Sequence, residues 1–131
     1  MRPVTRLVAV AVAGVVPLSA ASTATAAEQA SKSGACGTGS TWVLSAKEVE
    51  GDIADVRFTV DSPRAGSVWR MQLFREGVRV FTGLRTANDD GVVSVLRRVE
   101  EAQGVNDRYV ATARDTETGE RCTGQARLVE S

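Results

Sequence analysis

The sequence predicts an all-β fold, an antiparallel β-sandwich of about seven short strands. Two observations support this prediction. Runs rich in β-branched residues alternate with turn signals about every ten residues, and no long stretch has the apolar spacing of a helix. A small barrel has the same strand pattern, because the number of strands does not decide whether a sheet closes, and it is the main alternative.

The N-terminus has the features of a Sec signal peptide. Arg2 and Arg6 give a basic start, and residues 7–18 (LVAVAVAGVVPL) form an apolar run that is too short to span a bilayer. Residues 24–26 (ATA) fit the small-x-small pattern of a cleavage site. We therefore expect a secreted protein with no membrane contact after cleavage. A lipoprotein with Cys36 as its lipidated residue is the competing interpretation, although Cys36 lies far past the apolar run.

We divide the chain into a signal peptide (1–27), a flexible N-terminal segment (28–40) and one β-domain (41–131). The segment 28–40 (EQASKSGACGTGS) is small, polar and Gly-rich, which predicts a flexible lead-in. Beyond residue 27 the chain keeps 14 basic and 16 acidic residues, because two of the sixteen basic residues lie in the signal peptide, and its net charge is −2. No basic excess attracts phosphate, and a nucleic-acid partner is therefore not expected.

Seven strands are predicted in the domain, each bounded by turn residues. They are 42–49, 53–60, 68–75, 78–84, 92–99, 108–114 and 121–129. Alternation shows which face of a strand is buried, and it places Trp69, Met71 and Leu73 of the third strand on one face. The run at 92–99 (VVSVLRRV) does not alternate cleanly, and its register stays open.

The third and fourth predicted strands form a hairpin if residues 76–77 (EG) make a two-residue turn. In that register Leu73 faces Val80 on the inner side, while Phe74 and Phe81 lie on the outer side among arginines. A longer turn would shift the register by one residue and undo this assignment. An apolar patch rimmed by arginine is a surface that proteins use to bind partners, and this face is a candidate binding surface. The alternative is that a loop covers the two rings or that they cap the sheet edge. The predicted face consists of Arg70, Phe74, Arg75, Arg79 and Phe81.

Cys36 and Cys122 are the only cysteines, and both follow the signal peptide. In an oxidising compartment the expected arrangement is one structural disulfide between them. The chain has no histidine and no Cys-x-x-Cys motif, which argues against a metal-bound or catalytic thiol.

A Trp in the third predicted strand, followed by Asp107-x-Tyr109-x-Ala111 at the start of the sixth, resembles the immunoglobulin-like sandwich. The resemblance implies that Trp69 packs between the sheets and that the Tyr109 hydroxyl bonds upstream backbone as a corner. It implies that Ala111 stands where antibody domains carry their second core cysteine. In such folds the first and last strands can run as parallel neighbours, which would bring the two cysteines of this chain together.

The whole chain is also similar to small secreted actinobacterial proteins, in its Ala-rich signal, Arg-heavy strands and closing segment 118–124 (TGERCTG). Actinobacteria also secrete immunoglobulin-like apoproteins that shelter enediyne antibiotics. Those proteins carry two disulfides, whereas this chain can form one. This resemblance implies a small-ligand carrier, which would need an apolar crevice between the end loops.

The absence of histidine excludes Ser–His and Cys–His catalytic pairs and most zinc sites. The acidic clusters at 89–90, 100–101 and 115–120 fall in predicted turns or strand ends, and a small sandwich offers little cleft for a glycosidase carboxylate pair. The turn at 88–91 (NDDG) could hold calcium, but these four residues are typical of a tight turn. We expect no enzymatic activity, no metal and no cofactor.

The function predicted from the sequence is that of a secreted, non-catalytic binding or structural module for an unknown protein or small-molecule ligand. It would act through a sheet face or its end loops. The alternative is an inhibitor of an extracellular serine protease through the loop 62–66 (SPRAG), where Arg64 could fill a trypsin-like pocket and Pro63 would stiffen the loop. Trp42 is expected to plug the core rather than to form a sugar-stacking platform.

Overall fold

The computed structural model describes residues 29–100 and 107–129, in which the chain forms eight β-strands and no helix. The strands are β1 (Gln29–Ala35), β2 (Thr41–Glu50), β3 (Ile53–Asp61), β4 (Val68–Arg75), β5 (Val78–Thr86), β6 (Val92–Glu100), β7 (Asp107–Asp115) and β8 (Arg121–Leu128). None of the described residues belongs to a helix that is long and apolar enough to cross a membrane. The predicted signal peptide at 1–27 lies outside the described residues.

The strands form two antiparallel sheets of four strands each. One sheet has the order β1-β2-β3-β6 and the other the order β5-β4-β7-β8. The chain changes sheet after β3, after β5 and after β6, as in a Greek-key sandwich. The order β5-β4-β7-β8 matches the C′-C-F-G sheet of immunoglobulin-like domains. The prediction of an antiparallel β-sandwich is confirmed. The barrel alternative is wrong, because no strand pairing joins the two sheets within the described residues.

All seven predicted strands are present, with ends that differ by at most two residues. The structure adds β1, which pairs antiparallel with β2 along its whole length. The prediction of a flexible segment over 28–40 is therefore wrong for residues 29–35. Most β1 side chains are exposed, since the strand lies at a sheet edge. Such a strand shows no alternation of apolar and polar residues, and its sequence carries no strand signal.

The core contains the aromatic residues that the immunoglobulin-like resemblance implies. Trp69 and Tyr109 are fully buried, as is Ala111. The indole N–H of Trp69 donates to the Ser67 hydroxyl at 2.9 Å, which satisfies a buried donor. The backbone upstream of Tyr109, at 101–106, lies outside the described residues, and the tyrosine corner stays a prediction.

The disulfide between Cys36 and Cys122 is confirmed, with a Cα–Cα distance of 4.5 Å. Cys36 follows β1 in one sheet and Cys122 lies in β8 of the other sheet, so the bridge closes one side of the sandwich. The strand predicted as first, β2, and the last strand, β8, lie in different sheets. The cysteines therefore meet across the sandwich and not along neighbouring strands of one sheet.

Trp42 packs against the core, as expected, with its ring 6.3 Å from the Phe58 ring between centroids. Two glycines make room for it. A Cβ added at Gly34 would lie 2.9 Å from the indole, and one added at Gly124 would lie 2.6 Å from it. Because one glycine is in β1 and the other in β8, the indole fills the side of the sandwich that the disulfide closes.

Candidate binding groove

The hairpin of β4 and β5 begins in the predicted register, with Phe74 opposite Arg79. At the next pair Leu73 lies opposite Phe81, because a β-bulge inserts Val80 as an extra residue in β5. One extra residue moves every following side chain of the strand to the opposite face. Phe81 therefore points into the core, where it is 8% exposed. The predicted outer pair of Phe74 and Phe81 is wrong.

The structure divides the five residues of the predicted face between two surfaces. Phe74 is half-buried on the outer face of the second sheet, and Arg70 is exposed on that face. The other three, Arg75, Arg79 and Phe81, line the open side of the sandwich, where β5 and β6 form the edges of the two sheets. The candidate site therefore moves from a sheet face to a sheet edge.

Phe81 is the centre of this open side. Its ring lies over Gly83, where an added Cβ would come within 3.0 Å of the ring. Arg85 of β5 places its guanidinium carbon 4.7 Å from the ring centroid, and Arg97 of β6 places its own 4.9 Å from the same centroid. Both distances are within cation–π range. Arginines from two different sheets are thus held on one aromatic ring.

Arg97 occupies a position that would normally be apolar. In β6 the residues Val93, Val95 and Val99 are buried and pair with the inner-face residues of β3, and Arg97 stands in the same alternation opposite Val56. This resolves the register of 92–99. A charged side chain is tolerated at this inner position because β6 is an edge strand, from which the guanidinium reaches solvent while its stem covers apolar surface.

Two adjoining cavities run along the open side between β5 and β6. The larger has a volume of about 570 Å³ and the smaller about 260 Å³, and both are lined by Val80 and Arg97. Four of the eight residues that line the larger cavity are aliphatic, and we call these four the floor of the groove; two of them are well exposed, Val78 at 67% and Leu96 at 48%. We call the two cavities and the adjacent Arg85 the arginine groove. Its residues are Arg75, Val78, Arg79, Val80, Phe81, Thr82, Arg85, Leu96, Arg97, Arg98, Val99 and Glu100.

Two of the groove arginines are paired with carboxylates. Arg98 donates to Asp55 at 2.9 Å, and this hydrogen bond lowers the pKa of Asp55. Arg75 lies 3.2 Å from the carboxylate of Asp107, which is 1% exposed. The remaining groove arginines have no carboxylate partner among the described residues, and they are Arg79, Arg85 and Arg97. Three groove arginines therefore lack an ion pair within the described residues, and Glu100 is the one carboxylate among the groove residues.

The loop predicted to inhibit a protease has its arginine turned toward its own domain. Arg64 donates to Asp115 at 2.5 Å and to Glu117 at 2.8 Å, while Pro63 is exposed. Burial raises the pKa of Asp115, but the hydrogen bonds from Arg64 and from the backbone amides of Glu117 and Thr118 outweigh it and lower this pKa. An inhibitory arginine must project from its loop, and Arg64 does not.

A cavity of about 600 Å³ lies between the end loops, where a small-ligand carrier would need its crevice. Its wall includes Glu120, whose carboxylate accepts hydrogen bonds from the backbone amides of Thr38 and Ser40 and from the Ser40 hydroxyl. Arg64 is bound as well, so that Arg121 is the one charged lining residue of this cavity whose side chain has no ion pair or hydrogen bond in the described residues. The arginine groove has more charged side chains without an ion pair in the described residues.

In the turn at 88–91, the side chain of Asn88 accepts hydrogen bonds from the backbone of the turn. The Asn88 side-chain oxygen accepts from the amides of Asp90 at 2.9 Å and Val92 at 3.0 Å. Gly91 has a φ of +82°, and an added Cβ would lie 1.9 Å from the Ser62 carbonyl oxygen. The described residues contain no cluster of three or more side chains suited to hold a metal ion.

Comparison with known proteins gives no assignment: no protein-family model, no curated protein and no solved structure matches the chain. The arginine groove is therefore the feature whose geometry and chemistry bear on function. Sequence reasoning found three of its residues, Arg75, Arg79 and Phe81. It paired Arg79 correctly with Phe74, but it placed Arg75 and Phe81 on the outer face, whereas both point inward. It missed the contribution of β6. One signal was present, because a glycine inside a predicted strand, here Gly83, often marks a bulge or a close approach.

Proposed function

We propose that the protein is a secreted, non-catalytic binding module that holds an anionic ligand in the arginine groove. The observation that carries the proposal is the pair Arg85 and Arg97, which contact the Phe81 ring at the open side of the sandwich without a carboxylate partner in the described residues. Both side chains are exposed, and their contact with the ring restricts their rotamers before a ligand arrives. Less side-chain entropy is then lost on binding, which favours affinity.

The surroundings of these arginines strengthen their attraction for an anion. The aliphatic surface of Val80, Leu96 and Val99 lies in the same groove. A carboxylate, sulfate or phosphate that enters beside such surface is partly removed from water, and its interaction with guanidinium is then stronger than in bulk solvent. The guanidinium fork also binds these anions with two hydrogen bonds. The groove thus suits a ligand with an anionic group on an apolar body.

Secretion is part of the proposal. The disulfide is compatible with an oxidising compartment, and the first 27 residues have the charge and apolar pattern of a signal peptide. A carrier of a small anionic molecule is the second candidate function. The larger groove cavity, about 570 Å³, has a volume typical of small-molecule sites. The protease-inhibitor alternative has less support, because Arg64 is bound to Asp115 and Glu117.

The proposal is tested with the anionic, apolar dye 8-anilinonaphthalene-1-sulfonate, titrated into the folded protein and followed by its fluorescence. We expect saturable binding that weakens about tenfold in Arg97→Gln, which removes one charge-assisted contact of about 1.4 kcal/mol. Val78→Glu, which adds a second carboxylate to the groove beside Glu100, should weaken binding as well. The matched control is Arg127→Gln, because Arg127 is exposed on β8, the opposite edge of the same sheet as β5. Equal affinity in all four proteins would contradict the proposal.

A further inference from the structure

We infer that the ligand of the arginine groove is an extended acidic segment of a partner polypeptide, with aliphatic side chains between its carboxylates. This inference rests on the proposed function and names the class of the ligand. Three observations carry it: the length over which the unpaired cations are spread, the aliphatic character of the groove floor, and the inward direction of the edge arginines.

The unpaired cations extend farther than one small molecule reaches. Arg79 and Arg85 are six residues apart on β5, with the bulge at Val80 between them, so that Arg79 lies on the outer side of the strand and Arg85 on the inner side. At a rise of about 3.3 Å per residue their Cα atoms are at most about 20 Å apart. A peptide in extended conformation covers that distance with about six residues. A drug-sized anion would contact one or two of the arginines and leave the others without a function in binding.

The floor favours a polypeptide over other linear polyanions. Its exposed surface comes from Val78 and Leu96, which suit the aliphatic side chains of a peptide. Single-stranded nucleic acids instead bind aromatic platforms on which their bases stack. The one aromatic residue of the groove, Phe81, is 8% exposed and already contacts two arginines. The groove therefore offers no open ring for stacking.

Recognition would take place mainly through side chains. Arg85 and Arg97 point inward from the edge strands β5 and β6, and inward charges on an edge hinder another strand from pairing with its backbone. The carboxylates of the segment would bind the guanidinium groups, and its aliphatic side chains would cover the floor. Affinity should then depend on the charge of the segment and fall as salt screens it.

The experiment is isothermal titration calorimetry of the whole protein with a capped eight-residue peptide of alternating Glu and Leu. The control peptide has Gln in place of every Glu. We expect the acidic peptide to bind at least tenfold more tightly at low salt. The variants Arg79→Gln and Arg97→Gln should each weaken it about tenfold, and Arg127→Gln should not. An oligonucleotide and a sulfated oligosaccharide of similar charge are titrated in parallel, and equal or tighter binding of either in the groove would overturn the peptide assignment.

The titration with 8-anilinonaphthalene-1-sulfonate separates the failure of the peptide inference from the failure of the proposed function. If the peptide does not bind while the dye binds in an Arg97-dependent way, the peptide inference is overturned and the proposed function stands. If neither binds, both are overturned. Peptide binding that is equal in Arg97→Gln and in the wild-type protein would place the peptide elsewhere and would also overturn the inference.

Discussion

Removal of the Cys36–Cys122 bridge should lower the free energy of unfolding by about 4.6 kcal/mol. The two cysteines are 86 residues apart in sequence, and the bridge closes a loop of that length in the unfolded chain. The loop-closure relation gives an entropy loss of about 15 cal/mol/K for such a loop, which is about 4.6 kcal/mol at 25 °C. This is a large share of the stability of a small domain.

The assay is urea unfolding at 25 °C of the double variant Cys36→Ala, Cys122→Ala. The m-value should rise, because the unfolded chain without the bridge exposes more surface. Cys122 is 1% exposed, and its truncation also removes packing. The fully reduced wild-type protein keeps that side chain and serves as the control. A loss below about 1 kcal/mol in both proteins would refute the chain-entropy argument, and a loss in the variant alone would assign the effect to packing.

Three further outcomes concern the loops and the core. Gly91→Ala should lower the free energy of unfolding in urea by more than about 2 kcal/mol, because Gly91 has a positive φ and an added Cβ would lie 1.9 Å from the Ser62 carbonyl oxygen. The control Gly66→Ala, at φ +75° with open space around it, should lose about 1 kcal/mol, and equal losses would contradict the packing argument. The pKa of Asp115 is lower in the folded than in the unfolded state, so its contribution to the free energy of unfolding is present above about pH 4 and is lost as the pH falls through the folded pKa. Plots of this free energy against pH for the wild type and Asp115→Asn should therefore converge in acid, and parallel plots from pH 7 to pH 2 would exclude this role. Tyr109→Phe should lower the free energy of unfolding by about 1 to 3 kcal/mol if its buried hydroxyl forms the predicted corner, and a change near zero would argue against one.

The seven predicted strands were recognisable because turn residues and alternation are local signals. The trace of β3 shows this, since its buried residues Val56, Phe58 and Val60 alternate in the sequence as they do in the sheet. The sequence of β1 gave no such signal, because an edge strand with exposed side chains has no buried face to mark. Its pairing depends on β2 and on the bridge to β8, which are tertiary features.

The arginine groove was the part that sequence reasoning could not place. Residues 78–84 can form a strand in either register, and the bulge at Val80 brings the Phe81 ring against Gly83, a residue that is not its sequence neighbour. The inward position of Arg97 is tolerated because β6 is an edge strand, which follows from sheet order and not from local pattern. One inserted residue therefore turned a predicted surface aromatic into the centre of a groove.

The most direct test of the arginine groove as the binding site is a two-dimensional ¹H–¹⁵N NMR titration of the labelled protein with 8-anilinonaphthalene-1-sulfonate. We predict that the amide shifts concentrate at residues 78–85 of β5 and 96–100 of β6, and that Arg97→Gln reduces them. Shifts concentrated at the end loops around Pro63 and Glu120, or on the outer face around Phe74, would contradict the assignment.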